Sequence, residues 1–290
     1  MTPLRQQLIE ELVLRGCAER TQEAYVQQVY QLAKHFRQPP DQLSNEQVRA
    51  YLLHLARGRH LAASTINQAV NAFRCLYERV LHREVAALRQ ALPFTRKPIQ
   101  RPQVFSTTEL ERLFTVGCPH PKHRTFLMTV YGAGLRLNEA CHLKAEHLDA
   151  ARQQIRVVQG KGRKDRYTLL SPRLLTQLRT YWRLFRPQHW LFPATRSPES
   201  PMVDATGQRI YYHAVQRAGL RRKGGIHALR HSFATHLLEA GVEITVVQRL
   251  LGHAHLNTTS TYLHVRQERL AQIAGPLQWL DLSQLPPAAS

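Results

Sequence analysis

Residues 93–104 read Pro-Phe-Thr-Arg-Lys-Pro-Ile-Gln-Arg-Pro-Gln-Val, and these three prolines constrain the chain more than any other stretch. Proline lacks the amide hydrogen that a helix interior or a central strand needs, so neither can run through this segment. A Pro-rich link is semi-extended, and this one separates two runs of helical periodicity. A chain of 290 residues is expected to form two domains. The division expected is 1–92, a linker over 93–104, a second domain over 105–275 and a tail over 276–290.

The first part reads as helix throughout. A helix near Leu4–Leu14 precedes an apolar stripe from Glu23 to Phe36 carrying Tyr25, Val26, Val29, Tyr30, Leu32, Ala33 and Phe36. Ser44 with Gln47, after the Pro39-Pro40 break, and Thr65 with Gln68 are capping-box pairs that open two more helices. A four-helix bundle is predicted, with Arg20, Lys34, Arg37, Arg57, Arg59, Arg74, Arg79 and Arg83 on its exposed faces.

The second part mixes helices with one hairpin. Ser106 with Glu109 caps its first helix. Ile155, Val157, Tyr167 and Leu169 alternate along Gln154–Gln159 and Arg166–Leu170, which predicts two strands around Gly160-Lys161-Gly162. Helices are expected over Pro172 to Phe185, from Gly207 to Ala218, from Ala228 to Ala240 and over Ile244 to Leu251. Gly241 and Gly252 serve as left-handed stops for the last two. The fold class is mainly α with a small β-hairpin.

Forty Lys and Arg against twenty Asp and Glu leave a net charge of +20. The basic residues are spread along the chain, which points to a folded surface for a polyanion, nucleic acid first. A ribosome-associated or merely basic protein is the plainer alternative. No apolar run of about 18 residues occurs, so no membrane span is expected. The N-terminus does not read as a signal peptide. Cys17, Cys75, Cys118 and Cys141 are far apart and form no CxxC pair. They suit reduced thiols in a cytoplasmic protein.

Six residues carry the chemistry: Arg136 after a Gly-Ala-Gly break, Lys161 at the hairpin tip, His227, Arg230, His253 and Tyr262. Arginines stay charged and fit phosphate oxygens bidentately. A tyrosine nucleophile splits phosphodiester exchange into two easier steps, a lysine protonates the leaving oxygen, and histidines move protons. Plainer readings exist for each. Arg136 and Glu139 could be an i,i+3 surface pair worth about 0.2–0.5 kcal/mol, His253 a protonated cap on a helix C-terminus, and Tyr262 a core tyrosine. His227 and His231 have metal-ligand spacing, but Ala228 stands where a zinc HExxH motif has Glu, and Arg230 would repel a cation. No metal, nucleotide or other cofactor is expected, and no P-loop occurs.

The stretches Gly134-Leu135-Arg136-Leu137-Asn138-Glu139, Gly160-Lys161-Gly162, His227-x-x-Arg230-His231, Leu250-Leu251-Gly252-His253 and Thr261-Tyr262-Leu263-His264 resemble the signature boxes of the tyrosine recombinases, the phage-integrase and Xer-like family. The resemblance covers nearly the whole chain, with residues 1–92 similar to the family's SAM-like core-binding domain and 105–275 to its catalytic domain. It implies a C-shaped clamp on double-stranded DNA with paired inverted sites, a 3′-phosphotyrosine intermediate and strand exchange through a Holliday junction in a homo-tetramer. It also implies that Arg136, Lys161, His227, Arg230 and His253 are catalytic and that Tyr262 is the nucleophile. The loop between Trp182 and Ile210 is short for an integron integrase. A mobile-element integrase is the reading taken. An Xer-type dimer resolvase, a type IB topoisomerase-like enzyme and a non-catalytic DNA-binding regulator are the alternatives. The apolar tail after Pro276 either folds back on its own domain or, as the resemblance suggests, docks on a neighbouring protomer.

Overall fold

The computed structural model describes residues 2–95, 103–158, 165–221 and 224–253. Backbone contacts divide the chain into two units, Met1–Gln100 and Arg101–Ser290. Lys161, Tyr262, the middle of the linker and the tail after Pro276 lie outside the described residues.

The first unit is helical, with α1 (Pro3–Leu14), α2 (Glu19–Phe36), α3 (Asn45–Leu53), α4 (Ala63–Arg74) and α5 (Val85–Ala91). Single π-helical turns extend α3 over His54–Gly58 and α4 over Cys75–Val80. Ser44 caps α3 as expected: its Oγ accepts from Gln47 N at 3.2 Å, and Gln47 Oε1 accepts from Ser44 N at 2.8 Å. Thr65 is not a cap. α4 starts two residues earlier, after Ala62, because the extended Ala62 backbone already begins the turn. The bundle also holds a fifth helix, α5, whose only buried side chain is Leu88, too weak an apolar pattern to read in advance. Leu8, Leu32, Val48, Val70, Phe73, Tyr77 and Leu88 meet in one core.

Two arginines assigned to the outer face turn inward. Arg74 donates to Leu92 O at 2.7 Å and stacks on Phe94. Arg83 donates to Asn45 Oδ1 and Asp41 O and stacks on Tyr77. At the unit's end, Asn67 of α4 holds Thr95 through a reciprocal pair of hydrogen bonds at 2.8 and 2.9 Å.

The second unit begins with α6 (Thr107–Thr115), α7 (Pro121–Gly132) and the short α8 (Leu137–Cys141). The Ser106–Glu109 capping box is present, with bonds of 2.8 and 3.2 Å. A three-stranded antiparallel sheet follows, ordered β1 (Leu148–Asp149), β2 (Gln154–Val157) and β3 (Arg166–Leu169). β1 was not foreseen, since two residues carry no alternation to detect.

The expected hairpin strands form, but β3 faces the other way from the prediction. Ile155 pairs with Thr168, and Val157 with Arg166. Partners across an antiparallel pair share a face, so Thr168 and Arg166 point inward while Tyr167 and Leu169 are exposed.

Among the described residues four more helices follow: α9 (Pro172–Phe185), α10 (Asp204–Arg217), α11 (His227–Glu239) and α12 (Ile244–Leu251). α10 begins before Gly207, which lies inside its first turns because a Cβ there would press on Leu137 and Phe126. α11 packs on α7 and α12, and α12 lies along β3. Phe233, Ala234, Leu238, Val247 and Leu251 form the α11–α12 contact. Cys141 is buried in the main core, and burial pushes its thiol pKa up to about 12.

Candidate active site

Gly134 sets the entrance to the site. Its φ of +60° is the left-handed region that favours glycine, and a Cβ would sit 2.4 Å from the Phe233 ring. The turn delivers Arg136 to the N-cap of α8. There Arg136 N donates to Glu139 Oε2 at 2.7 Å and Arg136 Nη1 to Glu139 Oε1 at 2.8 Å. Glu139 is only 8% exposed, so the pair belongs to the interior, not the surface.

A third residue, unforeseen from the sequence, completes this cluster. Arg166 at the start of β3 places Nη1 and Nη2 each 2.7 Å from a Glu139 oxygen, while its Nε donates to Leu250 O at 2.9 Å. The alternation of Tyr167 and Leu169 in the sequence gives Arg166 no role beyond opening the strand. The signal available was the missing apolar residue opposite Val157. Thr168 anchors the strand by donating to Ala133 O at 2.7 Å.

Arg230 comes from α11 and is 4% exposed. It donates to Gly134 O at 2.7 Å and Leu251 O at 2.6 Å, and stands 3.8 Å from Glu139. Arg136 Nη2 donates to Gly252 O at 3.2 Å. Three successive carbonyls at the end of α12, those of Leu250, Leu251 and Gly252, are thus each held by a different arginine. Helix C-termini leave carbonyls without intrahelical partners and carry partial negative charge, so cations stabilise them.

Gly252, with φ of +62°, ends the helix and turns His253 toward Arg230. Arg230 Nη2 lies 3.2 Å from His253 Nε2. Arginine has no acceptor, so this nitrogen accepts and the ring is neutral in that contact. Burial first, then Arg230, Arg136 and Arg166, push its pKa down to about 4. The plainer alternative, a protonated helix cap, does not fit this arrangement: three guanidinium groups already occupy that end. His231 is likewise pushed down to about 4, by burial and then by His227 and Arg230. His227 opens α11 with one side toward solvent. Loss of hydration on its protein side, followed by Arg230 and Arg136, lowers its pKa.

Glu139 balances these effects. Burial would raise its pKa, but Arg166 by hydrogen bond and charge, with Arg136, brings it down to about 2. Removing one partner of a buried ion pair costs about 3–5 kcal/mol, so the cluster is structural as well as electrostatic. Three guanidinium groups against one carboxylate leave an excess of two positive charges. That excess suits a phosphodiester and, better still, a transition state that gains negative charge. Of the six residues proposed from sequence, Arg136, His227, Arg230 and His253 converge here, while Lys161 and Tyr262 lie outside the described residues. Among the described residues, no group of three His, Cys, Asp or Glu side chains is placed to hold a metal ion.

Comparison with known proteins identifies the family. The pattern described as "Phage integrase family" matches residues 103–269, and "Phage integrase, N-terminal SAM-like domain" matches residues 4–87. The integrase/recombinase-type protein y4qK of Sinorhizobium fredii is 40% identical over 97% of this chain and 90% of its own length. The tyrosine recombinase XerA of Pyrococcus furiosus is 31% identical, with 93% of each chain covered. The Tn1549 transposon integrase, solved in complex with circular intermediate DNA, shares the fold with a TM-score of 0.69 at 17% identity, over 90% of this chain and 95% of that one. The chain belongs to the phage integrase family and is a tyrosine site-specific recombinase.

Proposed function

We propose that this recombinase is a mobile-element integrase acting on double-stranded DNA at paired inverted sites, assembled there as a homo-tetramer. The observation that carries the chemical reading is the convergence of Arg136, Arg230, His227 and His253 around one buried carboxylate. In this reading Arg136 and Arg230 hold the non-bridging oxygens of the scissile phosphate. Arg230 is nearly enclosed, so phosphate meets it at the edge now shared with His253. The Tyr262 oxygen attacks phosphorus, the bond to the 5′-oxygen breaks, and Lys161 gives that oxygen a proton.

A phenol with a pKa of about 10 is a poor nucleophile at neutral pH. The neutral imidazole of His227 is suited to take its proton, and the adjacent arginines favour the phenolate. The 3′-phosphotyrosine keeps one ester bond in place of another, so rejoining needs neither nucleotide nor metal. The names of the Sinorhizobium relative and of the transposon integrase support the mobile-element role. The XerA relative supports a second reading, resolution of chromosome or plasmid dimers.

The test uses nicked suicide duplexes built from repeat DNA flanking the native gene. The wild type forms a covalent adduct, seen on a denaturing protein gel and retained in excess EDTA. Tyr262→Phe binds the same duplex and forms none. An adduct surviving in Tyr262→Phe would assign the nucleophile elsewhere. Cleavage at the ends of an element that carries the gene supports integration, whereas one palindromic chromosomal site supports dimer resolution.

A further inference from the structure

We propose that Arg166 is a positioning residue for strand cleavage, holding Glu139 and the Leu250 carbonyl so that Arg136, Arg230 and His253 keep their places around the phosphate site. This inference rests on the functional reading above. A carboxylate offers about four lone-pair sites. The four bonds to Glu139 are two from Arg136, through its backbone N and Nη1, and two from Arg166, through Nη1 and Nη2. Arg230 stands just outside this set at 3.8 Å. Without the Arg166 fork, two sites on a buried carboxylate open beside Arg230, and the nearest cation able to fill them is the one assigned to phosphate.

The second hold is on the backbone. Arg166 Nε donates to Leu250 O, three residues before His253. A Cβ on Gly252 would lie 2.6 Å from Arg166 Cδ, so the chain passes directly across the arginine stem. The Arg166 side chain is 9% exposed and all three of its nitrogens are engaged with protein, so it is not a DNA contact. In the sequence it stands five residues after Lys161. One guanidinium therefore joins β3, the Arg136 carboxylate partner and the segment leading to His253. Lysine carries the charge but not the planar fork.

The full chain is tested as wild type, Arg166→Lys, Arg166→Met, and the double variant Glu139→Gln with Arg166→Met. Duplex affinity is read by gel shift, and the rate of adduct formation is read on the suicide duplex at saturating DNA. Arg166→Met is expected to bind as wild type and to form adduct about 10²-fold more slowly, the scale of a small misplacement of catalytic groups. Arg166→Lys is expected between the two. Should Arg166→Met not fold, as judged by circular dichroism, the double variant replaces it, since it leaves no buried carboxylate unpaired; it too should bind and cleave slowly. Wild-type cleavage by either Met-containing variant overturns the proposal, as does a fall in affinity that matches the fall in rate. Failure of all three variants to fold overturns it as well, by making Arg166 a folding residue only. A wild type that forms no adduct sinks the functional reading itself. A normal wild type with indifferent variants sinks only this inference.

Discussion

Gly134 meets three demands at one position. Its backbone needs a positive φ, its missing Cβ leaves room for the Phe233 ring, and its carbonyl accepts from Arg230. Gly134→Ala is therefore expected to lower stability by about 1–3 kcal/mol, the range for overpacking a filled site. It should also slow cleavage at saturating DNA, because shifting the carbonyl shifts Arg230. Urea unfolding and single-turnover adduct formation check the two effects separately, and an unchanged midpoint would show that Phe233 moves aside without cost. At this scale Arg136, Arg230, His227 and His253 were legible in sequence because their types and order are unusual. Arg166 was not, since a strand residue declares its face only once its partner is known, and Val157 is that partner.

At the scale of elements, the capped helices were the most readable parts. The Ser44 and Ser106 boxes both form, and Gly241 and Gly252 both adopt positive φ just beyond their helices. Ser106→Ala is expected to cost about 1 kcal/mol by freeing the Glu109 amide, measured as a lower thermal midpoint with α-helical circular dichroism otherwise retained. No change in midpoint would mean water replaces the cap. The Thr65 box misled because a Thr and a Gln three apart also occur inside a helix, where Thr65 N donates to Ala62 O within the first turn. α5 and β1 escaped notice for another reason. Each buries too little of its own sequence to leave a periodic trace, and tertiary contacts decide their conformation.

For the whole molecule, the net charge of +20 has a thermodynamic signature. If the basic surfaces neutralise about 6–10 phosphates, affinity for duplex should fall on the order of 10³–10⁵-fold between 50 and 200 mM salt. A titration by fluorescence anisotropy reads the slope, and a nearly flat response would separate the positive surface from the DNA surface. Arg74 and Arg83, both engaged within the first unit, should contribute little to that slope. The clasp on the end of α12 has a different consequence, one of timing. Arg136, Arg166 and Arg230 all precede in sequence the carbonyls of Leu250, Leu251 and Gly252 that they hold. Until α12 has folded, the arginines have Glu139 and the Gly134 carbonyl but lack the three carbonyls that complete the pocket. The site is thus built from both sides of α11, and its phosphate-facing arginines reach their final places only as α12 docks.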